Sequence, residues 1–83
     1  MTALLRLNDF MLIANQSKKL AHDMLWAIVQ ELDAKDCPKM TLKILGDIEF
    51  YAEHMGVRIS NSLREIMEEM EDEAKENISG KTY

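Results

Sequence analysis

Apolar residues return every three or four positions through the first third of the chain, with no glycine or proline between residues 3 and 35 to interrupt them. Leu7, Met11, Ala14, Ala21, Leu25, Ile28 and Leu32 form one row. Phe10, Ile13, Leu20, Met24 and Ala27 form a second beside it, and together they make the stripe of an amphipathic helix. Lys18 interrupts the first row and Ser17 the second. Thr2 suits an N-cap, and Pro38 disfavours the α conformation at Cys37, so the pattern predicts one helix over about 2–35.

A second helix is predicted over 38–55. Proline suits a first helical turn, where its missing N–H is no loss. Met40, Ile44, Ile48, Tyr51 and Met55 share one face, with Leu45 and Ala52 beside them. Gly46 inside this helix costs about 1 kcal/mol relative to alanine, which suggests a close helix crossing there. Gly56 is placed to end the helix in the left-handed conformation. Leu42 and Phe50 lie off the main face, two turns apart, and are candidates for a second contact surface.

The third helix is predicted over 61–78, with Ser60 or Ser62 as its cap; Ser62 and Glu65 have the spacing of a capping box. Leu63, Ile66, Met67, Met70, Ala74 and Ile78 give it a narrow apolar stripe, Gly80 ends it, and Lys81–Tyr83 fray. The expectation is an all-α fold of three helices in one domain, residues 1–83.

The lengths of these helices do not match. At 1.5 Å per residue a helix of about 34 residues extends about 50 Å, whereas one of about 18 residues spans about 27 Å. The excess is apolar, since Leu4, Leu5, Leu7, Phe10, Met11 and Ile13 fall within it. Either the first helix breaks near 15–18, or it stays continuous and packs against a second subunit. With no glycine or proline in the segment, continuity is the cheaper backbone solution. A short chain also gains from the extra burial that a second subunit brings. A homodimer is therefore expected, with Leu7, Phe10, Met11, Ile13, Leu20 and Met24 at its self-complementary interface.

Composition narrows the chemistry. Cys37 is the single cysteine, so no internal disulfide forms, and one thiol with two separated histidines, His22 and His54, makes no zinc-type cluster. His22-Asp23 and Glu53-His54 are sequence neighbours, which a helix points about 100° apart, so neither pair reads as a chelate or an acid–base couple. There is no glycine-rich phosphate loop. The expectation is no enzyme activity, no cofactor and no metal. No apolar run approaches the roughly 18 residues that span a bilayer, and Arg6 and Asp9 interrupt what would be a signal-peptide core. A cytoplasmic protein without membrane contact is expected. Seven methionines in 83 residues are read as gap fillers of a core or interface, and Trp26, at the edge of the apolar face, as either a half-buried core residue or a partner anchor.

Charge is unevenly distributed. Residues 1–38 carry 4 basic and 5 acidic groups, residues 39–60 carry 3 of each, and residues 61–83 carry 3 basic and 7 acidic. No segment has the basic excess that phosphate neutralisation requires, so nucleic acid is not an expected partner. Glu65, Glu68, Glu69, Asp72 and Glu76, with Glu71 and Glu73 among them, form instead an acidic surface on the third helix. It serves either solubility or docking on a basic protein surface.

The segment ILGDIEFYAEHMGVRISNSLREIMEEM, residues 44–70, resembles the two-helix half of Arc-type ribbon-helix-helix repressors. The matching features are Ala52 and Gly56 at a helix end, a short link, Ser/Asn residues at the next helix start, and Leu63 and Met67 as following core positions. The resemblance implies obligatory dimerisation and phosphate contacts from Ser60, Asn61 and Ser62. The strand with which that family reads bases has no counterpart in residues 35–40, which contain Pro38 and lack alternation.

The function expected first is a small acidic adaptor or inhibitor that binds another protein, a type common among accessory proteins of phages and mobile elements, anti-defence inhibitors included. Such a protein acts in the cytoplasm of a bacterial host. A dimeric DNA-binding regulator and a structural subunit of a larger helical assembly are the alternatives.

Overall fold

The computed structural model describes the backbone of residues 3–80 and the side chains of 9–78. Four helices follow in order: α1 (Ala3–Gln16), α2 (Lys18–Glu31), α3 (Pro38–His54) and α4 (Asn61–Gly80). There is no strand among the described residues. The architecture is therefore all-α with four helices rather than three. The expected cap Thr2, the fraying end Lys81–Tyr83 and the side chains of Leu4, Leu5 and Leu7 lie outside what is described.

The correction is at Ser17, where the long first helix breaks. Ser17 is extended, with φ −154° and ψ 118°, and its Oγ accepts from the Leu20 amide at 3.2 Å, capping α2. Its own N–H still donates to the Ile13 carbonyl at 2.8 Å, and the Ser17 carbonyl accepts from Ala21 at 3.1 Å. The break thus keeps backbone hydrogen bonds on both sides of the junction and gains a cap worth about 1 kcal/mol. It brings Phe10 and Ala14 into the core, 0% and 2% exposed. Burying a phenylalanine contributes about 1.5–3 kcal/mol, enough to offset the hydrogen bonds that the break forgoes at about 1 kcal/mol each. Continuity is cheaper only where nothing is gained by turning.

The second correction is at the end of α2, which stops at Glu31 rather than near residue 35. Leu32 is extended, and the Asp33 carboxylate accepts from the Lys35 and Asp36 amides at 3.1 and 2.9 Å, folding residues 33–36 into a turn. A short carboxylate that bonds backbone amides two and three residues ahead competes directly with helix. Pro38 then opens α3 at its first turn.

α3 closes as expected. Gly56 has φ +69°, Val57 N–H donates to the Ala52 carbonyl at 2.8 Å, and Gly56 N–H to Glu53 at 3.2 Å, the paired bonds of a Schellman ending. Ser60, not Ser62, caps α4: its Oγ accepts from Leu63 N–H at 3.3 Å and its carbonyl from Arg64 N–H at 2.9 Å.

α1 packs against α2 and α3 against α4, and α1 also touches α3. The core draws on every helix: Phe10, Ala14, Ala21, Leu25, Ile28, Val29, Ile44, Leu45, Ile48, Ala52, Leu63 and Met67, with Val57 and Ile59 from the link. Trp26, Met24, Met55 and Met70 pack on it half-buried. Polar ties also join the parts. Lys18 Nζ donates to the Met55 carbonyl, Ser60 N–H to His22 Nε2 at 3.0 Å, and Asn77 Nδ2 to the Ala34 carbonyl at 3.0 Å. The molecule extends 47 × 26 × 18 Å.

Candidate partner-binding surface

The inward side of α4 is set by Leu63, Met67 and Ala74, all buried, with Ile66 and Met70 half-buried. At 100° per residue this fixes where everything else on the helix faces. Glu65, Glu69, Asp72 and Glu76 share the side away from the core, and Glu68 stands next to them toward α3; all five are exposed. None of the five is in an ion pair among the described residues. Glu71, half-buried, pairs instead with Lys75 at 2.9 Å, and its carboxylate holds the Lys75 ammonium above the ordinary lysine range. Arg64 reaches across to Glu49 on α3 at 3.3 Å. The outer face of α4 therefore presents a row of solvated carboxylates along about three turns of rigid helix. A field of one sign on a fixed scaffold attracts cations and speeds encounter with a basic partner.

Between α3 and α4 lies a notch lined by Leu42, Leu45, Gly46 and Glu49 on one side and Arg64, Met67, Glu68 and Glu71 on the other, enclosing about 100 Å³. Gly46 is not at a close helix crossing. A Cβ built on it meets nothing within 4 Å, so the glycine leaves space open rather than letting a helix approach. Leu42 lines this notch. Phe50, 65% exposed, lies elsewhere on α3, its ring edge-on to Tyr51 at 5.5 Å and stacked on His54 at 6.2 Å.

The residues expected at a dimer interface are distributed differently. Phe10 is enclosed by its own chain, Met11, Ile13 and Met24 are half-buried, and Ile13 and Met24 pack on the core. Leu20 is 59% exposed, and Leu12, which the stripe did not single out, 66%.

Ser60, Asn61 and Ser62 are exposed at the start of α4. Ser60 is internally engaged through both its N–H and its Oγ. Beside it, Lys18, Lys19, His22 and Arg58 line a shallow concavity with Asp23, a grouping that sequence reasoning missed because it joins α2 to the α3–α4 link across about forty positions. Cys37 is exposed and free. No three His, Cys, Asp or Glu side chains among the described residues are placed to hold a metal ion, and no described helix is long and apolar enough to cross a membrane. Compared with known protein families, curated proteins and solved structures, the chain matches none.

Proposed function

We propose that this chain is a small acidic adaptor or inhibitor that binds another protein, with the outer face of α4 as its docking surface. The observation that carries this reading is the row of Glu65, Glu68, Glu69, Asp72 and Glu76, exposed and outside any ion pair among the described residues. Carboxylates so arranged contribute little to the stability of their own helix. Their mutual repulsion at i, i+3 and i, i+4 is mildly unfavourable, and none of them lies in the first turn of α4, where the helix dipole would favour it. A basic partner surface relieves that repulsion and gains charge complementarity.

The test is affinity capture from host extract with the tagged chain and with the variant Glu68→Lys, Glu69→Lys, Asp72→Lys, read by mass spectrometry. The reading expects one or more basic proteins with the unaltered chain and their loss with the variant, while circular dichroism shows both equally helical. The same proteins in both captures would remove the acidic face from the account.

Among the described residues, part of the apolar excess of the first third is covered without a second copy. The homodimer was expected because an apolar excess had no cover, and Phe10 and Ala14 are covered within one chain. Among the described residues there, Leu12 and Leu20 are the large apolar side chains that stay exposed, on different helices.

The concavity in which Lys18, Lys19 and Arg58 outnumber Asp23, beside Ser60, favours a second reading, in which the chain contacts phosphates of nucleic acid. Binding of that kind weakens steeply with salt. A gel shift present at low salt and lost at moderate salt supports it, and no shift at low salt eliminates it.

A further inference from the structure

Gly46 sits in the interior of α3 at a cost of about 1 kcal/mol relative to alanine, and nothing inside the molecule repays that cost. Its φ is not positive, no turn requires it, and a Cβ there meets nothing within 4 Å. What the glycine does is keep the notch between α3 and α4 open. The floor is apolar, from Leu42, Leu45 and Met67, and the rim carries three carboxylates, Glu49, Glu68 and Glu71, against one cation, Arg64, which is itself paired with Glu49.

We infer that this notch is the anchor site of the docking surface, and that its occupant is an aliphatic side chain projecting from a lysine- or arginine-rich helical segment of the partner. The chemistry on each side fits. An apolar floor takes an apolar group, and the acidic rim, continuous through Glu68 with the outer row of α4, takes the basic residues flanking it. The notch holds about 100 Å³, room for a single side chain, and an aliphatic one matches the aliphatic and thioether groups of Leu42, Leu45 and Met67. A few buried residues carry most of the energy of an interface, amid contacts that contribute little.

This inference rests on the proposed function and refines it, and the notch can fail while the acidic face stands. The probe is a synthetic helical peptide of leucine and lysine at i, i+3, i+4 spacing, with a matched peptide in which serine replaces every leucine, each measured by fluorescence anisotropy. The leucine peptide is expected to bind at least tenfold more tightly than the serine one, and to move the methyl NMR resonances of Leu42, Leu45 and Met67. Gly46→Leu, which fills the notch from within, is expected to remove that tenfold advantage while leaving the serine peptide's binding unchanged. The methyl shifts on the unaltered protein carry the test even where Gly46→Leu proves poorly folded.

Two outcomes overturn the notch while leaving the acidic face in place: equal binding of both peptides, abolished by Glu68→Lys with Glu69→Lys and Asp72→Lys, or leucine-peptide binding that leaves those three methyl resonances unmoved. Failure of both peptides to bind overturns the notch and the acidic face together.

Discussion

Single residues show what each position contributes, and the two described interior glycines, Gly46 and Gly56, make opposite cases. Gly56 has φ +69°, a conformation that costs an L-residue about 1–2 kcal/mol, and it closes α3 through a Schellman ending. Gly46 has no such need. Gly46→Ala is therefore expected to stabilise the protein by about 1 kcal/mol, and Gly56→Ala to destabilise it by about 1–2 kcal/mol, both read from urea midpoints. A destabilised Gly46→Ala would mean that the notch is closed from within. Thr41 is a third informative position. It is 1% exposed, and its Oγ1 has no hydrogen-bond partner among the described residues. A buried hydroxyl without a partner costs about 1–3 kcal/mol, so Thr41→Val, which keeps the shape, is expected to raise the urea midpoint. A lowered midpoint would show that the hydroxyl is bonded in solution.

Among the elements, the turn at 33–36 responds to pH in a definite sense. Backbone hydrogen bonds from Asp36 and then Lys35 hold the Asp33 carboxyl below the usual aspartate range. A carboxyl depressed in the folded state contributes order that is fully present above its unfolded pKa, about 3.9, and is lost as pH falls through the lower folded value. Hydrogen-exchange protection of the Lys35 and Asp36 amides should therefore be flat above about pH 4 and fall below it, with Asp33→Ala unprotected throughout. The same acid transition in Asp33→Ala would assign it to another group.

These elements also show what could be read along the sequence. The start of α3 at Pro38, its end at Gly56 and the start of α4 near Ser60 were legible because proline, glycine and serine act locally, through φ restriction, a missing Cβ and a capping oxygen. The Ser17 break was marked only by polar residues interrupting both apolar rows, and what decides it, the burial of Phe10 and Ala14, is a tertiary gain that no local rule records. Asp33 was legible in type but lay inside the helix predicted over about 2–35. Val57 and Ile59, buried with Arg58 exposed between them, follow a two-residue alternation too short to be read as pattern. The carboxylate row of α4 was visible from composition and spacing. The notch was not, because it needs the register between α3 and α4, and Gly46 was assigned to the opposite role, close contact instead of open space.

For the molecule as a whole, the break at Ser17 lets Phe10 and Ala14 pack inside one chain. Light scattering is expected to give the mass of a single chain, 9.6 kDa. About twice that mass would return Leu12 and Leu20 to consideration as an interface. What the fold leaves facing outward is the acidic side of α4, with the notch along its flank, on a helix fixed by Leu63, Met67 and Ala74 in the core and by Asn77 on Ala34. The most direct measurement of whether that face is the working surface is the affinity of a captured basic partner for the unaltered chain and for Glu68→Lys, Glu69→Lys, Asp72→Lys, in one buffer, with thermal melts recorded beside it. A loss of at least tenfold in affinity with melting curves that coincide is expected; equal affinities would contradict a docking role for that face.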